Sequence, residues 1–233
     1  MALTWARRRQ FNYIVGLLCF FLIIGVVIYF VYKPQPTCFD GKWNGDETGV
    51  DCGGPCALAC SSQVKNLKIY WARPVEVDAG RYDLVAQVEN LNSDLGVRSL
   101  DYTFSLYDEN NILLTKREGS TFVNPGEKFV IFESRVEVGE RVAKKAFLEF
   151  PNKIVWEKAE PINKDIYIER RDFINEPQPV LHLLLGNKRL ELVRNVRVVS
   201  VLSDINGNVL ASSATIVDEI GPSSAQDVYL TWP

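Results

Sequence analysis

Four of the five cysteines fall within 23 residues, Cys38, Cys52, Cys56 and Cys60, in the segment CFDGKWNGDETGVDCGGPCALAC. Thiols so placed either pair as disulfides or hold a metal as thiolates. The C-x2-C knuckles usual for zinc are absent, which weighs against zinc and against an iron–sulfur cluster. A segment this short buries no useful core and needs covalent staples, so two disulfides are expected. The spacing allows three pairings and does not choose among them. The same stretch carries Asp40, Asn44, Asp46, Glu47 and Asp51, five oxygen-bearing side chains within twelve residues. Calcium takes such sets. Their spacing is not that of an EF-hand, and Asp-Gly and Asn-Gly pairs are ordinary turn chemistry. Solvated turns are therefore the first reading and a calcium site the second, with no other cofactor expected.

Elsewhere the chemistry is sparse. The one histidine, His182, lies in the apolar run VLHLLL, with no Cys or Ser motif to supply a nucleophile. G-x-S-x-G, H-E-x-x-H and P-loop patterns are all missing. A histidine bonded to backbone is the plainer reading, and a non-enzymatic protein is expected. Trp71, Trp156 and Trp232 are read as core or interface fillers before a sugar or peptide groove. Arg170-Arg171 and Lys144-Lys145 read as solvated pairs.

What positions these residues is set by the run from 11 to 32, FNYIVGLLCFFLIIGVVIYFVY, which holds no charge. As a helix it is about 33 Å long, enough for the ~30 Å hydrocarbon core of a bilayer. Arg7, Arg8 and Arg9 precede it and Lys33 follows, which favours a cytoplasmic N-terminus (residues 1–10) and an extracytoplasmic remainder. A cleaved signal would have a shorter apolar core and small residues at its exit, whereas this run ends in Tyr29-Phe30-Val31-Tyr32. Cys19, mid-run after Leu18, fits no lipoprotein signal and reads as a small apolar residue in lipid. Lys42 and Trp43, just past the span, read as a solvated turn first and as a headgroup contact second. Four of the 26 basic groups lie in residues 1–33, leaving 22 against 29 acidic ones, a net of −7. That balance argues against a nucleic-acid partner. Membrane lipid, through 11–32, and a protein at the cell surface are the expected partners.

Beyond a Cys-rich stalk over 33–63, short alternating runs separated by turn signals predict an all-β ectodomain of two tandem β-sandwiches, 64–160 and 161–233. The runs include LKIYW (67–71), LDYTFSLYD (100–108) and KFVIFE (128–133) in the first, and VLHLLL (180–185), VRVVSVLSD (196–204) and DVYLTW (227–232) in the second. Tyr102, Phe104 and Leu106 alternate onto one face, expected to be the core. A shift of 96 aligns Val97/Val193, Arg98/Arg194, Leu106/Leu202, Asp108/Asp204, Asn110/Asn206 and Leu114/Leu210. This internal repeat means two domains. In it Asp227–Trp232 takes the place of Lys128–Glu133, so the second sandwich is expected to lack a closing strand, through truncation, an internal donor or a partner's strand.

Two stretches resemble known families. Cys38, Asp40, Gly41, Asn44, Gly45, Glu47, Gly49, Asp51, Cys52, Gly53, Gly54 and Cys56 resemble a short cysteine module of bacterial surface proteins, from which Cys60 departs in spacing. Phe104-Ser105-Leu106-Tyr107-Asp108 resembles the motif of FxLYD domains. That resemblance implies an immunoglobulin-like sandwich of bacterial envelope proteins, over roughly 66–150, without assigned chemistry. The second round keeps only Leu202 and Asp204 of the motif. Phe104 and Leu106 are expected to point inward, and Asp108 to accept backbone N–H groups in the turn toward Asn110-Asn111. The sequence thus predicts a single-pass protein whose surface body binds or scaffolds, with a calcium- or redox-responsive sensor and an envelope enzyme as the other classes.

Overall fold

The apolar run folds as the helix α1 (Trp5–Tyr32) in a computed structural model that describes residues 5–32, 37–160 and 165–232. The helix begins six residues before the uncharged run, because Arg7–Gln10 are good helix formers and nothing there breaks it. Its side chains from residue 7 onward are exposed, Ile24 alone being half-buried. It is long and apolar enough to cross a membrane.

The chain divides into two compact units, Met1–Pro55 and Cys56–Pro233. Among the described residues every strand belongs to the second. The first seven strands are β1 (Lys68–Asp78), β2 (Arg81–Glu89), β3 (Leu95–Tyr107), β4 (Leu113–Val123), β5 (Lys128–Glu137), β6 (Lys145–Glu149) and β7 (Glu157–Lys158). They form two antiparallel sheets, ordered β1-β2-β5 and β4-β3-β6, with β7 on the start of β3. This is the partition of an immunoglobulin-like sandwich. Tyr82, Leu84, Ala86 and Val88 from one sheet meet Tyr102, Phe104, Leu106 and Leu148 from the other in a common core. Tyr102, Phe104 and Leu106 are at most 3% exposed, as the alternation requires. A satellite cluster of Leu95, Val97, Leu100, Val123 and Trp156 closes one end. There Ala59 N–H donates to Trp156 O and Lys158 N–H to Ala57 O, so residues 57–59 are held against β7.

The second set is β8 (Ile166–Ile174), β9 (Val180–Asn187), β10 (Val193–Ser203), β11 (Val209–Ile220) and β12 (Ala225–Thr231). Its sheets are ordered β12-β9-β8 and β10-β11, around Leu181, Leu183, Leu185, Ile220, Val228, Leu230 and Trp232. Most observed strands start within a few residues of the predicted runs and some run on, as β5 does through Ser134–Glu137. Charged residues on an outer face do not end a strand, so composition underestimates strand length.

The two sandwiches touch through outer faces. Arg197 Nη2 donates to Phe132 O at 3.0 Å, and Arg73 Nη1 donates to Gly207 O at 3.0 Å. On β2, Val85 points away from its own sandwich's core yet is fully buried, and neighbouring Asp83 is buried too. The outer face of β10-β11, with buried Ser212, covers them.

Candidate functional site

All four clustered cysteines are disulfide-bonded, which leaves Cys19 as the free cysteine. Bonded sulfurs are not thiolates, so the metal chemistry of this cluster falls to its oxygens. Those are largely committed to shaping turns. Both carboxylate oxygens of Asp51 accept main-chain N–H groups, from Asp40 at 3.0 Å and from Gly41 at 2.9 Å. Asp40 in turn accepts the Lys42 N–H at 2.9 Å and the Asn44 side-chain amide at 2.8 Å. Those donors, the Asn44 amide foremost, hold the Asp40 carboxyl below its ordinary range. Glu47, which is buried, accepts the Asp51 N–H at 3.3 Å, and the Trp43 indole donates to Glu47 O at 2.9 Å. Asp46 is exposed. One oxygen stands apart: Asn44 Oδ1 is buried and has no hydrogen-bond partner, and it lines a small recess with Thr37, Asp46 and Glu47. Gly54 is required beside it, because its φ is +54° and a Cβ there would lie 2.0 Å from Asp46 O.

In the predicted motif, Phe104 and Leu106 are fully buried, and Tyr107 lies on the other face with its ring 5.5 Å from Phe147. Asp108 Oδ1 accepts the N–H groups of Asn110 and Ile112, both at 2.9 Å. The repeat reproduces this turn. Asp204 Oδ1 accepts from Asn206 at 2.9 Å and Asn208 at 2.7 Å, and the Asn208 amide reaches the other oxygen at 2.8 Å. The left-handed residue of each turn is Asn111 (φ 62°) or Gly207 (φ 78°), 96 residues apart.

His182 is held differently from expectation. Its Nε2 lies 2.6 Å from Asp227 Oδ1 and its Nδ1 3.7 Å from Asp172 Oδ2, while Tyr229 stacks on the ring at 4.5 Å. Carboxylates on neighbouring strands, not backbone, fix it, and Arg170 pairs with Asp172 at 2.9 Å. His182 alternates with the core residues Leu181 and Leu183 and so lies on the outer face, and the register that sets Asp172 and Tyr229 beside it is tertiary. Trp156 and Trp232 are buried in core clusters, as fillers rather than groove walls.

A binding feature lies in the sheet topology. In the first sandwich β3 is flanked by β4 on one side and β6 on the other, over Thr103–Tyr107. Its counterpart β10 pairs with β11 alone among the described residues. The other edge of β10 thus carries main-chain groups that no strand satisfies. Nearby, Trp232 Nε1 is buried without a partner in the second core.

No protein-family model matches the chain, and no curated protein matches it.

Proposed function

We propose that this is a membrane-anchored cell-surface protein that binds or scaffolds other proteins without catalysing a reaction. In this reading α1 crosses the cell membrane with its N-terminus in the cytoplasm, and the stapled module and both sandwiches stand outside. The observation that carries a binding role is the open edge of β10. A row of unpaired N–H and C=O groups accepts an added strand, and the ligand class is an extended segment of a partner protein. The residues Phe104, Leu106, Tyr107 and Asp108, with the sandwich that they help to build, support grouping the first domain with FxLYD domains of bacterial envelope proteins.

The test uses the full chain in lipid nanodiscs and a peptide copying residues 144–150, the strand that fills this place in the first sandwich. Amides of β10 that face away from β11 should exchange quickly with solvent and slow when the peptide is added. Exchange that is already slow, or unchanged by the peptide, rejects the open edge as a binding site. Orientation is tested on intact cells, where added protease should digest the chain beyond about residue 40. A body protected until lysis rejects the outside location.

The buried, unpartnered Asn44 Oδ1 favours a second reading, a calcium-responsive module. Calorimetric titration of the full chain with calcium separates the two: heat that Asn44→Ala abolishes supports the sensor, and no heat rejects it.

A further inference from the structure

We propose that the turn Phe39–Trp43 rests in the headgroup layer of the bilayer that α1 crosses, on zwitterionic lipid, so that the stapled module is a foot on the membrane. This rests on the anchored reading above. Phe39 is 82% exposed and Trp43 70% exposed, with Lys42 exposed between them. Two large aromatic side chains within five residues are thus held in water by a turn whose main chain is fixed. The Asp51 carboxylate holds the amides of Asp40 and Gly41, and Asp40 holds the amide of Lys42 and the side chain of Asn44. A flexible turn would fold such side chains against any nearby apolar surface. This one displays them. Aromatic rings are enriched at the membrane–water boundary, where an apolar body and a wet edge are both accommodated.

The indole makes the fit specific. Entry of a tryptophan into a poorly hydrated layer costs free energy when its N–H loses a water partner. Here Nε1 already donates to Glu47 O at 2.9 Å, so the ring can leave water without an orphaned donor. Reach is also satisfied. Residues 33–36 join Tyr32 to Thr37, and at no more than ~3.6 Å per residue the tether keeps the module within about 20 Å of the helix end. The headgroup layer begins there, since each interfacial region adds roughly 5–8 Å to the hydrocarbon core.

Charge selects the lipid. Asp40, Asp46, Glu47 and Asp51 face a single basic residue, Lys42, within residues 37–55, a net of −3. Anionic headgroups repel such a module, whereas phosphatidylcholine does not.

The experiment reads the fluorescence of Trp43 in the full chain carrying Trp5→Phe, which removes the other tryptophan near the span. The protein is reconstituted in phosphatidylcholine vesicles, plain or brominated on the acyl chain near the headgroup. We expect emission to fall in the brominated vesicles, and Trp43→Phe to remove that loss. Moving the reporter with Phe39→Trp in the Trp43→Phe protein should restore it, which guards against a Trp43 variant that misfolds. Replacing a third of the lipid by phosphatidylserine should shrink the loss. Equal emission in plain and brominated vesicles, or a loss unaffected by Trp43→Phe, overturns the proposal, and a loss that phosphatidylserine deepens overturns its lipid assignment. An alkaline wash of the same vesicles separates the two readings. A chain released by the wash overturns the anchor and the foot together; a retained chain with unquenched Trp43 overturns the foot alone.

Discussion

The side chain of Asn90 is buried and uses all four of its hydrogen-bonding positions. Nδ2 donates to Leu95 O at 2.7 Å and Asn124 O at 2.8 Å, and Oδ1 accepts from Asn92 N–H at 3.0 Å and Asn92 Nδ2 at 2.9 Å. It ties the β2–β3 loop to the β4–β5 loop. Asn187 does the same in the second sandwich, donating to Glu191 O, Ile220 O and Gly221 O and accepting from Arg189 N–H. Alanine at either position strips the side-chain donor from one buried carbonyl, Leu95 O or Ile220 O, and from at least one half-buried one, at about 1–3 kcal/mol for a polar group left buried and unpaired. Asn90→Ala and Asn187→Ala should each lower stability by roughly 2–4 kcal/mol in urea unfolding of the full chain. A loss below ~0.5 kcal/mol, the ordinary surface range, would show the knots to be dispensable. Nothing local in the sequence marks either asparagine, because nothing there says that a second loop will close over it. The signal was the repeat: a shift of 97, one beyond that of the strands, superposes Asn90 on Asn187. Asp83 gives a second residue-scale prediction. Burial, the largest influence, raises its carboxyl above the ordinary value despite the Arg135 N–H at 2.9 Å. A carboxyl that binds its proton more tightly when folded lowers stability as pH rises from the ordinary carboxylate range through the raised value. Asp83→Asn keeps the acceptor for Arg135 and removes the buried charge. It should raise the melting temperature at pH 7, with the gain vanishing near pH 3 where both side chains are neutral.

Among the elements, the turns after β3 and β10 were the most legible, because an Asp followed two residues later by Asn names its own hydrogen bonds. Their difference is also chemical. Asn111 tolerates the left-handed conformation that Gly207 adopts freely, and a Cβ built at Gly207 meets nothing within 4 Å. Substitution there therefore tests backbone strain alone. Gly207→Ala should cost about 1 kcal/mol, and Gly207→Asn clearly less, since Asn visits this region more readily. Equal costs would mean that lost contacts, not the dihedral, decide the site. Strand positions and core faces were legible from period-2 alternation, with Phe104 and Leu106 inward as read. The helix was legible from its uncharged run, though not its first turns, since polar helix formers extend a helix silently. Least legible was the strand pairing. The repeat showed that Asp227–Trp232 stands where Lys128–Glu133 does, but only the sheet order shows that β10 is the strand left with one neighbour.

For the whole molecule, the contact between the two sandwiches was hidden from the sequence. Asp83 and Val85 occupy the outward positions of β2, where alternation predicts solvent, and both are buried. A face reads as exposed when its covering lies more than a hundred residues away, on β11. If this contact forms in solution, the two domains should melt together, because burial of Val85 and the bonds of Arg73 and Arg197 couple their stabilities. Val85→Asp sets a carboxylate in a fully buried position two residues from Asp83, where the loss of solvation makes the charge costly. Ser212→Glu does the same from the opposite surface. Neither side chain belongs to a sandwich's own core cluster, so each domain should still fold. The expected result for both variants is a single calorimetric transition splitting into two, with near-native secondary structure retained by circular dichroism. Restoring one transition at pH 3, where the introduced carboxyls are neutral, would identify charge burial as the cause. Two transitions already present in the unmodified chain would show that the sandwiches are independent. In that case burial of Val85 would not couple their stabilities.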